Sequence, residues 1–356
     1  MRPMRSFPRP IRGALLALLT AAVAGCPPTG PSRVVLYCAQ DKEFAEGVLG
    51  EFRQKTGMEA TPKFDTEADK SVSLYVELVK DKDRPRCDVF WNNEIVSTIR
   101  LKRQGLLEPY DSPSAAPYPA TAKDKDHCWT AFAARARVLL VNTDLVKDAD
   151  RPKSLLDLTD PKWKGRIAMA RPQFGTTATQ AACLFEVLGP ERAKAFYRGL
   201  KDNGVQLSPG NKQAAEWVGR GRTPAGSEVA VAMTDTDDSL EEIKAGSHVA
   251  IILPDRDEVP GARIGTLFLP NTVAIIRGCP NPDGARKLVD FLLSAGVEKE
   301  LAEGPSHQIP LNPEVKATLP DAIKDIRAAH PMAVDFERAA DLWDEAQTFL
   351  RDEFAR

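Results

Sequence analysis

Between Arg33 and Gly105 short apolar runs alternate with helical stretches, and that rhythm restricts the chain to a sheet whose strands are joined by crossover helices. Arg33-Val-Val-Leu-Tyr37 predicts a strand. Asp41 to Lys55 predicts a helix with Phe44, Val48, Leu49 and Phe52 on one face, closed by Gly57. Met58 to Phe64 is a second strand, Val72 to Lys80 a helix, Asp88 to Trp91 a buried strand and Ile95 to Gln104 the next helix. A proline-rich stretch from Glu108 to Pro119 interrupts the pattern, and Trp129 to Asn142 is a long strand-like run. The second half resumes the alternation. Strands are expected at 166–170, 248–253 and 267–277. Helices are expected from Gly175 to Leu188, at 191–201, 212–219 and 283–294, and from Asp335 to Glu353.

The stretch EVAVAMTDTDDS from Glu228 to Ser239 ends a β-prone apolar run in three carboxylates, Asp235, Asp237 and Asp238. Ligands of open α/β sheets bind beyond the carboxyl ends of strands, so these acids mark the expected mouth of a site. Three carboxylates in four positions repel one another unless a cation, a base or bulk water relieves them. Asp238 with Glu241 also fits a capping box opening a short helix, a role that competes with ligand contact. A calcium loop is excluded. Counting from Asp235, Leu240 stands where the sharp turn needs glycine and Gly246 where the bidentate glutamate belongs.

Residues 1–25 read as a signal peptide. Arg2, Arg5, Arg9 and Arg12 precede an apolar run from Ala14 to Ala24, which ends in Val-Ala-Gly-Cys. Cys26 after a small residue resembles a bacterial lipobox, which implies a lipid on its sulfur, export, and anchoring without a spanning helix. Residues 26–32 form the tether. Loss of the four leader arginines moves the formal charge from −2 to −6, which offers no footprint for nucleic acid. Cys38, Cys87, Cys128, Cys183 and Cys279 are odd in number and irregularly spaced. At most two disulfides are expected, most of the five being small buried apolar residues. The four histidines, at 127, 248, 307 and 330, are too scattered for a zinc cluster or a histidine triad. No GxSxG, P-loop or GxGxxG occurs, so the usual enzyme signatures are missing.

In order along the chain, VVLYCAQDKEFAEGVLGEFRQKTGMEA, CDVFWNNEIVSTIRLKRQGLLEPY, RARVLLVNT, ARPQFGTTATQAA, the acidic strand end, and CPNPDGARKLVDFLLS with QIPLNP carry a resemblance. Together they resemble the substrate-binding proteins of ABC importers, above all the bacterial ferric-ion-binding proteins and the related thiamine and phosphonate binders. The resemblance spans Arg33 to about Pro313. It implies a two-lobed, type II periplasmic-binding-protein-like α/β fold, each lobe a mixed, mostly parallel sheet flanked by helices. Lobe 1 would be 33–135 and 265–320, lobe 2 136–264, and C-terminal helices 321–356. Hinge strands would cross near 130–142 and 262–272.

The family's functional positions carry over unevenly. The position often held by histidine falls at Asp41, and the family's glutamate ligand at Asn93 with Glu94 beside it. The tyrosine pair that gives iron its phenolate ligands falls at Asp237 and Asp238. Companion-anion positions fall at Gly175, Thr176 and Thr177, at Asn211 and at Arg135, while an expected asparagine is Asp235. Each has a plainer role open to it. Thr176 and Thr177 suit N-capping, Asp41 suits the cap of the first helix, and Arg137 is as good a candidate as Arg135.

The expectation is therefore a metal ion, ferric iron first, held by Asp41, Glu94, Asp237 and Asp238 with a companion anion. It would be cargo rather than a cofactor, delivered to a membrane permease by an exported, lipid-anchored monomer. An organic cation on the face of Trp91, or a thiamine-like or phosphonate solute, is the alternative within the class. A metal-dependent extracytoplasmic hydrolase, or a lobed scaffold or sensor, stands outside it.

Overall fold

The computed structural model describes residues 33–65, 72–256 and 264–354, with Met1. The signal peptide, Cys26 and the tether expected from the sequence lie outside these residues. Met1–Pro31 and Ser32–Arg356 are separate units, and the architecture below is that of the second.

Its first elements are β1 (Arg33–Cys38), α1 (Lys42–Thr56), β2 (Glu59–Phe64), α2 (Val72–Lys80), β3 (Val89–Asn92) and α3 (Ile95–Arg103). A short β4 (Leu107–Glu108) and the long β5 (Thr130–Asn142) follow. Next come β6 (Ile167–Ala170), α4 (Gly175–Leu188), α5 (Pro190–Asp202), β7 (Gln206–Ser208), α6 (Asn211–Gly219), β8 (Val231–Asp235), α7 (Thr236–Lys244) and β9 (Val249–Ile252). The chain then forms β10 (Phe268–Ile276), α8 (Pro282–Leu292), α9 (Ala295–Glu303), α10 (Phe336–Asp341) and α11 (Trp343–Phe354).

Local chemistry explains these bounds. In α1, Phe44, Ala45, Val48, Leu49 and Phe52 are buried at helical spacing, and Gly57 ends the helix in the left-handed conformation with its N–H on the Arg53 carbonyl. An alanine at Gly57 would cost about 1 kcal/mol. The expected helix over 335–353 is instead broken at Leu342, the C-cap of α10. The acidic stretch is shifted too: the strand covers Val231 to Asp235, and α7 opens at Thr236 with Asp235 as its N-cap. Asp238 therefore sits in the first turn of α7 and is not its cap.

The strands form one continuous path, β2-β1-β3-β10-β5-β8-β6-β7, with β4 on β10 and β9 on β5. β1, β2 and β3 pair in parallel, as do β6, β7 and β8, whereas β10 and β5 run antiparallel to their neighbours. All 13 residues of β5 are buried. From Thr130 to Ala136 it pairs with β10, and from Arg137 to Val141 with β8, so this one strand belongs to both halves of the sheet.

The changeover is irregular. β10 carries a bulge at Pro270/Asn271, and Ala133 adopts φ +41°, a left-handed conformation that a residue with a Cβ resists. The buried carboxylate of Glu298 holds this region by accepting the N–H groups of Ala133 (2.7 Å), Leu311 (3.0 Å) and Asn312 (2.8 Å). α10 packs on α3 and α4, and α11 on α4 and α5, so the C-terminal helices contact elements of both halves. Buried Trp343, Ala346, Leu350 and Phe354 carry that packing. The exposed bridges Arg103–Glu337, Arg103–Asp341 and Lys201–Glu353 add little.

Candidate functional site

β6, β7 and β8 run parallel, and each is followed by a helix: α4, α6 and α7. The N-termini of these three helices therefore converge beyond the carboxyl edge of this half-sheet, where their free N–H groups and dipoles favour negative charge. A narrow cleft opens there. Its walls are Asp41, Asn93, Arg135, Arg171, Phe174, Gly175, Thr176, Gly210, Asn211, Asp235, Asp237 and Asp238, with Ala170 and Pro209. Gly175, the first residue of α4, has φ +54°, a turn into the helix that suits glycine.

Two arginines of β5 organise the acids. Arg137, only 1% exposed, stands opposite Asp235 in the β5–β8 register and donates to its Oδ1 at 2.9 Å. The same guanidinium donates to Gln180 Oε1 (3.0 Å), Asn211 Oδ1 (3.1 Å), Thr176 Oγ1 (3.3 Å) and Thr177 Oγ1 (3.4 Å). Asp235 Oδ2 accepts from Thr176 Oγ1 (2.7 Å) and Asn211 Nδ2 (3.1 Å). Arg135, two residues earlier on the same face of β5, donates to Gln40 Oε1 (2.7 Å) and faces Asp237 Oδ2 at 3.4 Å. Burial pushes the Arg135 pKa down but is outweighed by Asp237, then Asp235, Asp41 and Asp238, which hold the guanidinium above its ordinary value.

Asp235, Asp237 and Asp238 each offer a carboxylate oxygen within 4.8 Å of the others, the one such group of acids among the described residues. Asp237 Oδ1 accepts the Asp238 N–H (3.1 Å), and Asp238 Oδ2 accepts from Thr234 Oγ1 (3.3 Å). At the mouth, Lys212 of α6 reaches Glu241 of α7 (3.0 Å) and Glu43 of α1 (3.4 Å), a contact between the two halves.

The expected residues thus divide. Asp41, Asn93, Arg135, Gly175, Thr176, Asn211, Asp235, Asp237 and Asp238 line the cleft, and Thr177 stands behind it on Arg137 and Asn211. Asp41 is the N-cap position of α1, without a capping bond from its side chain, and lies outside the trio of close acids. Glu94 does not line the cleft. It is the N-cap of α3, 1% exposed, and its carboxylate accepts from the Ser97 N–H (3.0 Å), Asn92 Nδ2 (3.1 Å) and Thr179 Oγ1 of α4 (2.7 Å). A helix N-terminus and two side-chain donors satisfy that charge, which removes Glu94 from the metal ligands.

Trp91 is likewise in the core, its ring 5.6 Å from that of Phe132, and offers no face to a ligand. The five cysteines of the described residues are free thiols, four of them buried, so none of the allowed disulfides is present. Arg137 was visible in the sequence only as an alternative to Arg135, and the pairing of both with aspartates was not. The i, i+2 spacing of two arginines in an otherwise apolar strand was the available signal.

Among the described residues no helix is long and apolar enough to cross a membrane. Residues 94–327 match the family model described as bacterial extracellular solute-binding protein. The chain is 29% identical over 308 residues to a major ferric iron-binding protein of Neisseria meningitidis, covering 85% of this chain and 87% of that one. It is 25% identical over 302 residues to a putative 2-aminoethylphosphonate-binding periplasmic protein of Salmonella typhi, covering 81% and 82%. The crystal structure of iron-bound HitA from Pseudomonas aeruginosa superimposes with a TM-score of 0.76 at 25% identity, over 91% of this chain and 99% of that one.

Proposed function

The chain belongs to the bacterial extracellular solute-binding proteins, and from that premise we propose that it captures a metal ion, ferric iron first, for an ABC importer. The observation that carries this reading is the trio Asp235, Asp237 and Asp238 gathered at the wall of a cleft. Hard carboxylate oxygens suit a hard cation such as Fe(III), with Mn(II) and Ca(II) as competitors. Asp237 and Asp238 are the protein ligands, and Asp41 adds negative charge from the side of α1. The ion is cargo and no resident cofactor is needed. Capture follows the closing of the two halves, which ligand contacts favour over the open form. The loaded protein then docks on a membrane permease, and it catalyses no reaction itself.

Export as a monomer, with Cys26 carrying a lipid, completes this reading. Replacing Cys26 with alanine should move the protein from the membrane fraction to the soluble one, and continued membrane recovery would argue against the anchor.

A second reading draws on two buried donors. Arg135 Nε and Gln40 Nε2 have no acceptor, and Arg135 lines the cleft. An organic solute carrying a phosphonate or phosphate group would supply acceptors there. Elemental analysis of the purified protein, with calorimetry against Fe(III), Mn(II), Ca(II) and 2-aminoethylphosphonate, separates the two. Heat with a metal at one ion per chain supports the first reading. Heat with the phosphonate alone replaces the metal by the organic solute and keeps the importer role.

A further inference from the structure

We infer that the Asp235 carboxylate is a built-in anion: it fills, from within the chain, a site that would otherwise take a free tetrahedral anion, and so determines which ligands the cleft accepts. The inference rests on the reading of this cleft as the solute site, and it changes what that site needs from solution. Three features around Asp235 describe an anion receptor. The N-termini of α4, α6 and α7 converge on the cleft. Arg137 is a fully buried cation whose other contacts, Gln180, Asn211, Thr176 and Thr177, are neutral. Thr176 Oγ1 and Asn211 Nδ2 add two donors directed at one oxygen.

The carboxylate uses this receptor in place of its ordinary local role. Asp235 occupies the N-cap position of α7, where aspartate normally accepts an N–H from the first turn, yet its side chain makes no such bond. It turns instead to Arg137, Thr176 and Asn211. About three of its four acceptor sites are taken by these donors. A cation bound in the cleft needs no companion anion at this position, because the chain already supplies the charge.

Inorganic phosphate is the probe. Wild type should give no phosphate-dependent heat in calorimetry and no phosphate-dependent rise in melting temperature. The Asp235→Ser variant removes the charge and opens the space the carboxylate fills, and should bind phosphate at least about tenfold more tightly than wild type, with a melting temperature that climbs with phosphate concentration. Adding Arg137→Gln to that variant should abolish the gain. Asp235→Ala, which opens the same space, should behave like Asp235→Ser and serves if the serine variant folds poorly.

Phosphate binding by wild type at this cleft, or folded Asp235→Ser and Asp235→Ala proteins that ignore phosphate, would overturn the inference. The phosphate titrations contain no metal, so they stand apart from the metal assignment. In a parallel metal titration, wild-type affinity should be the same with and without phosphate, and a requirement for phosphate would also overturn it. Absence of metal binding in every protein would count against the cargo reading alone.

Discussion

Truncating Arg137 to alanine should remove a large part of the folding stability. The guanidinium is 1% exposed and pairs with Asp235, itself 2% exposed, at 2.9 Å. Taking one partner from a buried ion pair leaves the other charge without compensation, at a cost of about 3–5 kcal/mol. Gln180 Oε1 also loses its 3.0 Å donor, adding about 1 kcal/mol. The expected loss is therefore about 4–6 kcal/mol, against a total stability of about 5–15 kcal/mol for a folded domain. Urea unfolding followed by far-ultraviolet circular dichroism measures it as a lower midpoint at unchanged slope. The double variant Arg137→Ala with Asp235→Asn removes the stranded charge and should recover about 2 kcal/mol of the loss, a coupling expected only of residues in contact. An Arg137→Ala protein within about 1 kcal/mol of wild type, or a double variant no more stable than it, would refute the reasoning.

Other outcomes follow from other parts of the molecule. Asp237→Asn with Asp238→Asn should abolish the heat of metal binding; a protein that still binds Fe(III) with wild-type affinity would remove these acids from the site. Lys212→Ala breaks exposed contacts to Glu43 and Glu241 and should change ligand affinity by no more than about threefold, the scale of a solvated ion pair. Gly265 has φ +81°, and a Cβ there would lie 2.7 Å from the Met332 nitrogen and the Pro331 carbonyl carbon, so Gly265→Ala should destabilise by about 2 kcal/mol or more, measured by denaturant midpoint. Burial raises the Glu298 carboxyl above its ordinary value, against the three N–H groups that pull it down. A folded pKa above the unfolded one gives a contribution present below the ordinary carboxylate range and lost as pH rises through the raised value. Glu298→Gln should flatten that fall in a series of urea midpoints against pH, and identical slopes in both proteins would refute it.

The alternation of elements was legible because each crossover helix had to bury one face. Phe44, Val48, Leu49 and Phe52 mark α1 in the sequence as clearly as in the structure. The bounds of α4 were legible too, since Gly175 opens that helix and Gly189 follows it. Position beyond a strand end correctly placed Asp235, Asp237 and Asp238 at a cleft. What the sequence did not carry was the state of those charges. Arg137 meets Asp235 and Arg135 meets Asp237 only through the register of β5 on β8 and the fold of α7, contacts spanning about a hundred residues. Glu94 became a candidate because the resemblance puts the family's glutamate ligand at its neighbour Asn93. Its N-cap geometry and its bond to Thr179 on a distant helix decided otherwise. The break at Leu342 was missed because both pieces of that segment are amphipathic in phase with a single helix.

The place of β10 in the strand order bears on how the molecule can be made. β10 lies between β3 and β5, yet its residues, 268–276, are synthesised long after both. Until they arrive, β3 and the first half of β5 each expose an open edge, and β1, β2 and β3 have no strand joining them to the rest. Such a half-sheet cannot close as the chain emerges, and pairings of this sequence separation form slowly. A polypeptide held open in this way stays threadable for as long as its last quarter is missing, which suits a protein that must pass through a membrane before it takes shape.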